Sequence, residues 1–281
     1  MGCSTSFTSK KGLEDILKKT IDIDNYKAMS NILKQEIKST KNPALVDTHK
    51  FFHEGFTFSI FDYALYKGKT NCFKTLYNNF HSSALDLINS YHSQGLDPIY
   101  TICISGNIEL LSFFFPIYLE TKDASDYPLS PSILSPIQIS AKHGHISIIN
   151  YFDKYFKSKP PSEYNVNSCN IYGENAAGVA LKEGRYKVLK YIIEKFDSKI
   201  EGVNDPLMIC LTQAELKPDR EYLECAVYAI ENLKYLVLKR HIGFLKDNSV
   251  LSLYLDRKYN ENEGRWANES RDSIATNYSI E

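Results

Sequence analysis

The 281-residue sequence has no excess of charge of either sign. Its 33 lysines and arginines balance 34 aspartates and glutamates, which leaves a formal net charge of -1. Proteins that bind DNA or RNA generally present a basic patch to the phosphates. The balance of charges therefore argues against a nucleic-acid partner.

Long hydrophobic runs and closely spaced cysteines are also missing. The longest apolar stretch, residues 108–119, is too short to span a bilayer and contains Glu109, Ser112 and Pro116. No apolar signal segment stands near the N-terminus. The six cysteines are scattered along the chain without a CxxC pair. These absences predict reduced thiols and a cytoplasmic location.

The sequence contains none of the short motifs that mark common catalytic or cofactor sites. It lacks the phosphate-binding GxxxxGK[ST] loop, the dinucleotide-binding GxGxxG loop and the GxSxG nucleophile turn. We therefore expect a protein that is not an enzyme. No catalytic residue, no cofactor and no small-molecule substrate is predicted.

Two histidine pairs raise the question of a metal site. His143 and His145 bracket a glycine in the segment KHGH. Two histidines without a third ligand bind zinc weakly, because structural zinc sites use four ligands. We predict no metal at this pair.

The second pair, His49 and His53, has the i, i+4 spacing that places both side chains on one helix face. The metalloprotease pattern needs Glu directly after the first His, and Lys50 stands there. The pair is therefore assigned to an amphipathic segment whose Phe51 and Phe52 face the core.

Four glycines recur at a nearly constant distance in the middle of the chain. Gly68, Gly106, Gly144 and Gly184 are 38, 38 and 40 residues apart. Apolar residues follow each glycine at four, five and eight positions, a spacing that places them on one helix face. They are Cys72, Phe73 and Leu76; Leu110, Leu111 and Phe114; Ile148, Ile149 and Phe152; and Val188, Leu189 and Ile192. The period predicts stacked helix pairs, because one pair alone cannot bury its apolar side.

The segment SPIQISAKHGHISIINYF, residues 135–152, resembles the ankyrin repeat. In that repeat a TPLHLAA core is followed by two variable residues, Gly-His and a second amphipathic helix. The matching residues are Ser135, Pro136, Ile137, Gln138, Ser140, Ala141, Gly144 and His145. The period exceeds the ~33 residues of an ankyrin unit, and turn-rich insertions at 120–132 and 157–165 explain the excess. The resemblance implies an all-α, ankyrin-type helical repeat solenoid of about six irregular helix-turn-helix units.

The first and last units depart from the pattern. The first unit is counted from Asp24, and its apolar offsets fall at Ala28, Met29 and Ile32. The last unit opens at Asp205 and has Ala214 where the turn glycine is expected. Its second helix is predicted to come late, as one long run over residues 221–239.

The repeat pattern defines three parts of the chain. The divergent ankyrin-repeat domain is predicted to span residues 13–258. Residues 1–12 are expected to form a flexible, acylated leader. Residues 259–281 contain few apolar side chains, so we expect a flexible C-terminal tail.

The leader begins MGCSTS, which fits the N-myristoylation pattern through Gly2 and Ser6. A single myristoyl chain binds bilayers with an association constant of only ~10⁴ M⁻¹, so durable attachment needs a second signal. Acylation of Cys3 would supply it. We therefore predict lipidation at Gly2 and Cys3 and a peripheral location on the cytoplasmic face of a membrane. The alternative is a disordered Ser/Thr-rich leader that matches the pattern by chance.

The resemblance also implies where a protein partner would bind. Ankyrin repeats bind proteins through their turn tips and through the concave face of their first helices. The corresponding residues are Tyr66, Lys67, Ile104, Ser105, Lys142, His143, Tyr172, Glu174, Lys182 and Glu183. Their mixed charges and their apolar and aromatic members favour a protein over a phosphate-rich partner.

Two functions fit these predictions. The first is a non-enzymatic adaptor or scaffold that holds a protein complex at a membrane. The second is a structural subunit of a large assembly, in which neighbouring proteins order the leader and the insertions at 77–96 and 120–134. A third hypothesis, a regulator of an enzyme, is favoured by no particular residue.

Overall fold

A computed structural model describes residues 10–41, 49–80, 97–121, 134–157, 161, 164–217, 220–244 and 252–263. The chain divides into two compact units, Met1–Asn165 and Val166–Glu281. Apart from one two-stranded hairpin, the regular elements in the described residues are helices, and six helix-turn-helix pairs are present among them. The predicted helical repeat is therefore confirmed.

The first unit holds four helix pairs and the hairpin. Its elements are α1 (Lys10–Asp22), α2 (Tyr26–Thr40), β1 (Lys50–His53), β2 (Phe56–Ser59), α3 (Ile60–Tyr66), α4 (Thr70–Asn79), α5 (Pro98–Ser105), α6 (Ile108–Thr121), α7 (Pro136–His143) and α8 (Ile146–Tyr155). The first helices α3, α5 and α7 pack on one another in sequence. The second helices form the other layer, in which α2 packs on α4 and α6 on α8. Each apolar helix face is thereby buried by its neighbours.

The second unit continues the same arrangement. Its elements are α9 (Ala176–Lys182), α10 (Tyr186–Phe196), α11 (Pro206–Leu216), α12 (Tyr222–Glu231), α13 (Lys239–Phe244) and α14 (252–263). The first helix α9 packs on α11, and the second helix α10 packs on α12. The short helix α13 packs on α11.

The first helices α3, α5, α7, α9 and α11 begin at side chains that accept hydrogen bonds from their first turn. Ser135 and Gln138 form a reciprocal capping box at the start of α7: the Gln138 amide donates to Ser135 Oγ at 3.4 Å, and the Ser135 amide donates to Gln138 Oε1 at 3.0 Å. Proline follows the capping residue in three of these helices, at a position where its missing N–H costs nothing. These prolines are Pro98, Pro136 and Pro206. The Ser-Pro pair in the sequence therefore starts a helix.

Five of the six first helices are followed by a turn residue with positive φ. Four of the five are the recurring glycines, and the fifth is Asp24, with a φ of 54°. In four of the turns, the amide of the residue after it donates to the carbonyl of a small residue on the first helix. These bonds are Asn25 to Thr20 (2.8 Å), Lys69 to Ala64 (2.8 Å), His145 to Ser140 (2.9 Å) and Arg185 to Ala180 (2.9 Å). This closure satisfies carbonyls that the helix end leaves open and reverses the chain.

The predicted apolar offsets are the core of the stack. All twelve residues at four, five and eight positions after the glycines are at most 1% exposed. In the first pair, Met29 and Leu33 are buried, whereas Ala28 and Ile32 are half-buried. The main helix neighbours of α2 are α1 and α4.

The expectation that residues 49–53 form an amphipathic segment whose Phe51 and Phe52 both face the core is wrong for Phe52. This segment enters β1, which pairs with β2 in an antiparallel hairpin. Glu54 and Gly55 connect the strands with φ values of 48° and 85°, and two positive φ values are typical of a type I′ turn. Because side chains alternate along a strand, Phe51 is buried while Phe52 is 71% exposed.

The predicted long helix over residues 221–239 is also shorter than expected. Helix α12 ends at Glu231, and the chain then turns through Lys234, with a φ of 59°. The Tyr235 amide donates to the Ala229 carbonyl at 3.0 Å and closes the turn. Residues 232–238 therefore leave the helix and return toward α11. The first helix α11 runs through Ala214 and ends at Leu216.

Asp205 connects α11 to α13. Its Oδ1 caps α11 by accepting from the Met208 amide at 3.0 Å. Its Oδ2 lies 2.8 Å from Arg240 Nη2 and 3.0 Å from His241 Nε2. Partial burial alone would raise the pKa of Asp205, but the Met208 amide, His241 and Arg240 together lower the pKa below its ordinary value of 3.8.

Replacing Gly106 with Ala should destabilise the first unit more than the same change at Gly55. Both glycines have positive φ, so each Ala costs about 1 kcal/mol in backbone strain. At Gly106 the new Cβ would also lie 2.4 Å from the His145 ring, whereas at Gly55 no atom lies within 4 Å. We expect a loss of about 2–4 kcal/mol for Gly106→Ala, within the range of severe core substitutions. Urea unfolding measures both; equal losses would contradict the close packing.

The contribution of Asp205 should depend on pH. A depressed pKa stabilises the folded state above the unfolded pKa, and the contribution is lost as the pH falls through the folded pKa. Asp205→Asn keeps the capping oxygen but removes the charge, so we expect it to cost about 1.5 kcal/mol at pH 7. The difference from wild type should shrink below about pH 4. Urea unfolding monitored by hydrogen exchange in α11 measures it.

Asp256→Asn is the matched control, because Asp256 is exposed on α14. Its cost should be near zero at every pH. A cost of Asp205→Asn that stays constant down to pH 3 would show that the charge is not what stabilises the contact.

Candidate protein-binding surfaces

The hairpin presents two exposed aromatic side chains at its tip. Phe52 is 71% and Phe56 is 54% exposed; Phe52 pairs with Thr57 and Phe56 with His53, so the two rings lie on opposite faces of the hairpin. We call these two side chains together the hairpin patch. The base of the hairpin is fixed: the Phe51 ring packs edge-on against Tyr63 with centroids 5.3 Å apart, and Lys18 Nζ donates to the Phe52 carbonyl at 2.9 Å. Two exposed aromatic side chains, one on each face, are therefore held on a rigid support.

Two of the predicted contact residues, Tyr66 and Lys67, are partly covered by this hairpin. The Tyr66 hydroxyl donates to the Glu54 carboxylate, and this bond, helped by burial, raises the pKa of Tyr66 to about 12. Lys67 Nζ lies 3.1 Å from His53 Nε2. Both side chains are half-buried. They place polar groups beside His53 and Glu54 of the hairpin.

Four more predicted residues lie at the ends of the next two first helices. The Ile104 carbonyl accepts a hydrogen bond from His145 Nε2 at 3.0 Å, and Ser105 Oγ donates to the Ile102 carbonyl. The His143 ring is parallel to His145, with centroids 6.2 Å apart. Because α3, α5 and α7 pack side by side, the structure brings Tyr66, Lys67, Ile104, Ser105, Lys142 and His143 to one edge of the first unit.

The second unit presents its own apolar turn before α9. Ile171 is 79% and Tyr172 is 61% exposed, and we call this pair the turn patch. Asn170 Oδ1 accepts from the amides of Tyr172 and Glu174 at 2.9 and 3.0 Å, which fixes the turn. Gly173, with a φ of 75°, completes it.

The other predicted residues of the second unit divide between surface and structure. Glu174 is only 7% exposed, and its carboxylate forms an ion pair with Lys182 and accepts from Asn170 Nδ2 at 3.0 Å. Glu174 thus connects the turn to α9, and little of it is available to a partner. Lys182 is exposed and Glu183 is half-buried.

Sequence reasoning missed three of the most exposed apolar residues, Phe52, Phe56 and Ile171. The signal for the first two was present as the alternation in KFFHEGFTFS with Glu-Gly at its centre, which is typical of a hairpin. Ile171 lies next to Tyr172, which the resemblance did identify.

Within the described ranges, no group of three His, Cys, Asp or Glu side chains is placed to hold a metal ion. Buried His49 instead pairs with Glu36 at 2.8 Å. Nor does any helix in the described part of the chain have the length and apolar character needed to cross a membrane. The predicted lipidation residues Gly2 and Cys3 lie outside the described residues.

Comparison with known proteins gives a likeness of structure only. No protein-family model matches the chain, and no curated protein matches it by sequence. The crystal structure of the human ASB11 ankyrin repeat domain resembles it with a TM-score of 0.51 and 18% sequence identity. The likeness covers 86% of this chain and 96% of that domain. The chain therefore has an all-α, ankyrin-type helical repeat fold, as the glycine period and residues 135–152 predicted.

Proposed function

We propose that this protein is a non-enzymatic adaptor that binds proteins through its repeats and is held at the cytoplasmic face of a membrane by its acylated N-terminus. Repeat folds of the ankyrin type suggest protein interaction. The observation that carries the first half of the proposal is the pair of exposed apolar patches, each on a turn fixed by hydrogen bonds or packing.

Each patch has the properties of a binding hot spot. Large apolar or aromatic side chains that are exposed, yet held on a rigid backbone, lose little conformational entropy on binding. Polar residues lie near the apolar side chains: Glu54, Tyr66 and Lys67 at the end of the hairpin, and Asn170 and Lys182 beside the turn patch. An apolar centre with a polar rim is typical of protein interfaces.

Support for the membrane half comes from the leader sequence alone. Gly2 with Ser6 provides the myristoylation pattern, and Cys3 provides a second acylation site. Lys10 and Lys11 add a small attraction to anionic lipid, about 1 kcal/mol each near the surface. Two chains and a basic pair together meet the requirement for stable anchoring.

Removing either patch should weaken partner binding without unfolding the protein. We expect Phe52→Ser and Ile171→Ser each to reduce affinity about tenfold or more for the partner that contacts that patch, the size of effect expected of hot-spot side chains. Partners recovered from detergent-solubilised membranes with the wild-type chain, once identified by mass spectrometry, serve as the titrants.

The matched controls are equally exposed apolar residues away from the patches. Ile23 is 72% exposed in the first unit, and Leu216 is 69% exposed in the second. Ile23→Ser and Leu216→Ser should leave affinity unchanged. If all four variants bind every partner like wild type, the patches are not the interface. If the native chain elutes entirely in a large, detergent-resistant complex, the structural-subunit function replaces the adaptor.

The acylation proposal predicts two different phenotypes at the leader. Gly2→Ala should abolish labelling by a myristate analogue and release the protein into the soluble fraction. Cys3→Ser should keep the label but lower membrane recovery several-fold, because one myristoyl chain gives only marginal binding. Unchanged membrane recovery of both variants would remove the tethering half of the proposal and leave the protein-binding half intact.

A further inference from the structure

The second unit contains a cavity of about 620 Å³ that the proposed function does not use. It lies between α10, the loop before α11, the first turn of α11 and the segment 233–241 that follows α12. Six aliphatic residues line it: Ile193, Ile200, Leu207, Leu233, Leu236 and Leu238. Its volume falls in the range of ordinary ligand sites, roughly 300–1,000 Å³.

The charged residues at the cavity are predominantly positive. Lys199, Lys234 and Arg240 line it, and Asp205 is the one carboxylate among the described lining residues. The Asp205 carboxylate already contacts Arg240 and His241. Lys199 is exposed and has no ion pair with any described residue, and Lys234 donates to the Glu231 carbonyl rather than to a carboxylate. The cavity therefore offers two ammonium groups to an acidic ligand.

Both ring nitrogens of His241 are hydrogen-bonded within the protein, so His241 is not counted among the positive groups offered to a ligand. It is only 2% exposed, and its Nδ1 accepts from the Leu238 amide at 3.0 Å. Its Nε2 therefore carries the proton and donates to Asp205. Together with Arg240, this contact fixes the end of the segment that forms one wall.

In the same wall, the main-chain groups of Leu236 and Val237 have no hydrogen-bond partner among the described residues. Leu236 and Leu238 are 44% and 39% exposed while Val237 is buried, an alternation typical of extended backbone. Backbone groups without a protein partner bind water or a ligand, and an extended peptide pairs with such a backbone readily.

We infer that this cavity binds an extended segment of a partner protein in which apolar side chains alternate with acidic ones. The apolar side chains occupy the space between the leucine and isoleucine walls. The carboxylates form ion pairs with Lys199 and Lys234, and the peptide backbone forms hydrogen bonds with residues 236–237. A fatty acid would satisfy one ammonium group but leave the main chain unpaired, which favours the peptide. The inference rests on the proposal that the chain binds proteins, but it uses neither patch and no acyl chain.

The experiment uses the full chain and a synthetic library of acetylated heptapeptides. Three alternate positions carry Leu, Ile or Phe, and the positions between them carry Asp or Glu, Ser, or Lys. We expect the acidic peptides to bind at least about tenfold more tightly than the lysine peptides of the same apolar sequence, equivalent to about 1.4 kcal/mol. Fluorescence anisotropy with the best peptide of each class gives the affinities.

Variants at the cavity test which residues give the selection. Lys199→Glu combined with Lys234→Glu should remove or reverse the preference for acidic peptides, whereas Lys217→Glu, an exposed lysine outside the cavity, should not. Leu236→Ser should weaken the acidic peptides several-fold. Leu223→Ser, the control at a leucine outside the cavity that is 43% exposed against 44% for Leu236, should bind them like wild type.

Several results would overturn the inference. These are equal binding of acidic and lysine peptides, an acidic preference that survives the double variant, tight binding of dodecanoate with no peptide selection, or dimerisation that the double variant abolishes. The two proposals can fail separately. If Phe52→Ser and Ile171→Ser lose partner binding but still select acidic peptides, both the patches and the cavity are supported. If the chain selects acidic peptides and those two variants bind partners like wild type, only the cavity is supported.

Discussion

The stack depends on a hydrogen bond between the turn of one repeat and the turn of the next. A helix end leaves carbonyl groups open, and here the following repeat supplies the donor. Asn107 Nδ2 donates to the Gly68 carbonyl at 2.7 Å, His145 Nε2 to Ile104 at 3.0 Å, and the Tyr222 hydroxyl to Lys182 at 2.8 Å. Three different side chains perform the same task. In two of the three contacts the donor is a ring that lies against the turn glycine, which explains why glycine is needed there for more than its φ angle: a Cβ on Gly184 would be 2.9 Å from the Tyr222 ring.

Much of this arrangement could be predicted because it is local and periodic. An apolar residue at a fixed offset from a turn must lie on a fixed helix face, so the twelve offset residues were identified without knowledge of their partners. Asp24 was aligned with the glycines by spacing alone, and it adopts their positive φ. The capping box at the start of α7 is local in the same way, because Ser135 and Gln138 are three residues apart, the spacing that a capping box requires.

The features that escaped prediction depend on contacts distant in sequence or on two signals that compete. The i, i+4 spacing of His49 and His53 suggested a helix, but Glu-Gly in a type I′ turn and the alternating phenylalanines favoured a hairpin. Glu174 was expected at the surface because it follows a turn. Its carboxylate is buried because Lys182, one helix length away, forms its ion pair. No pattern within the turn itself indicates that partner.

The early end of α12 links the fold to the cavity. Had the helix continued to residue 239 as its composition suggested, residues 233–238 would have extended along the helix axis, away from Asp205. The turn at Lys234 instead returns the chain to α11, where Asp205 holds Arg240 and His241. This return places Leu233, Leu236 and Leu238 opposite Ile193, Ile200 and Leu207, which creates the cavity. Stacking buries the apolar faces of the repeat helices, so the exposed apolar side chains and the cavity lie outside the stacked faces: at the hairpin, at the turn before α9 and at the turn after α12.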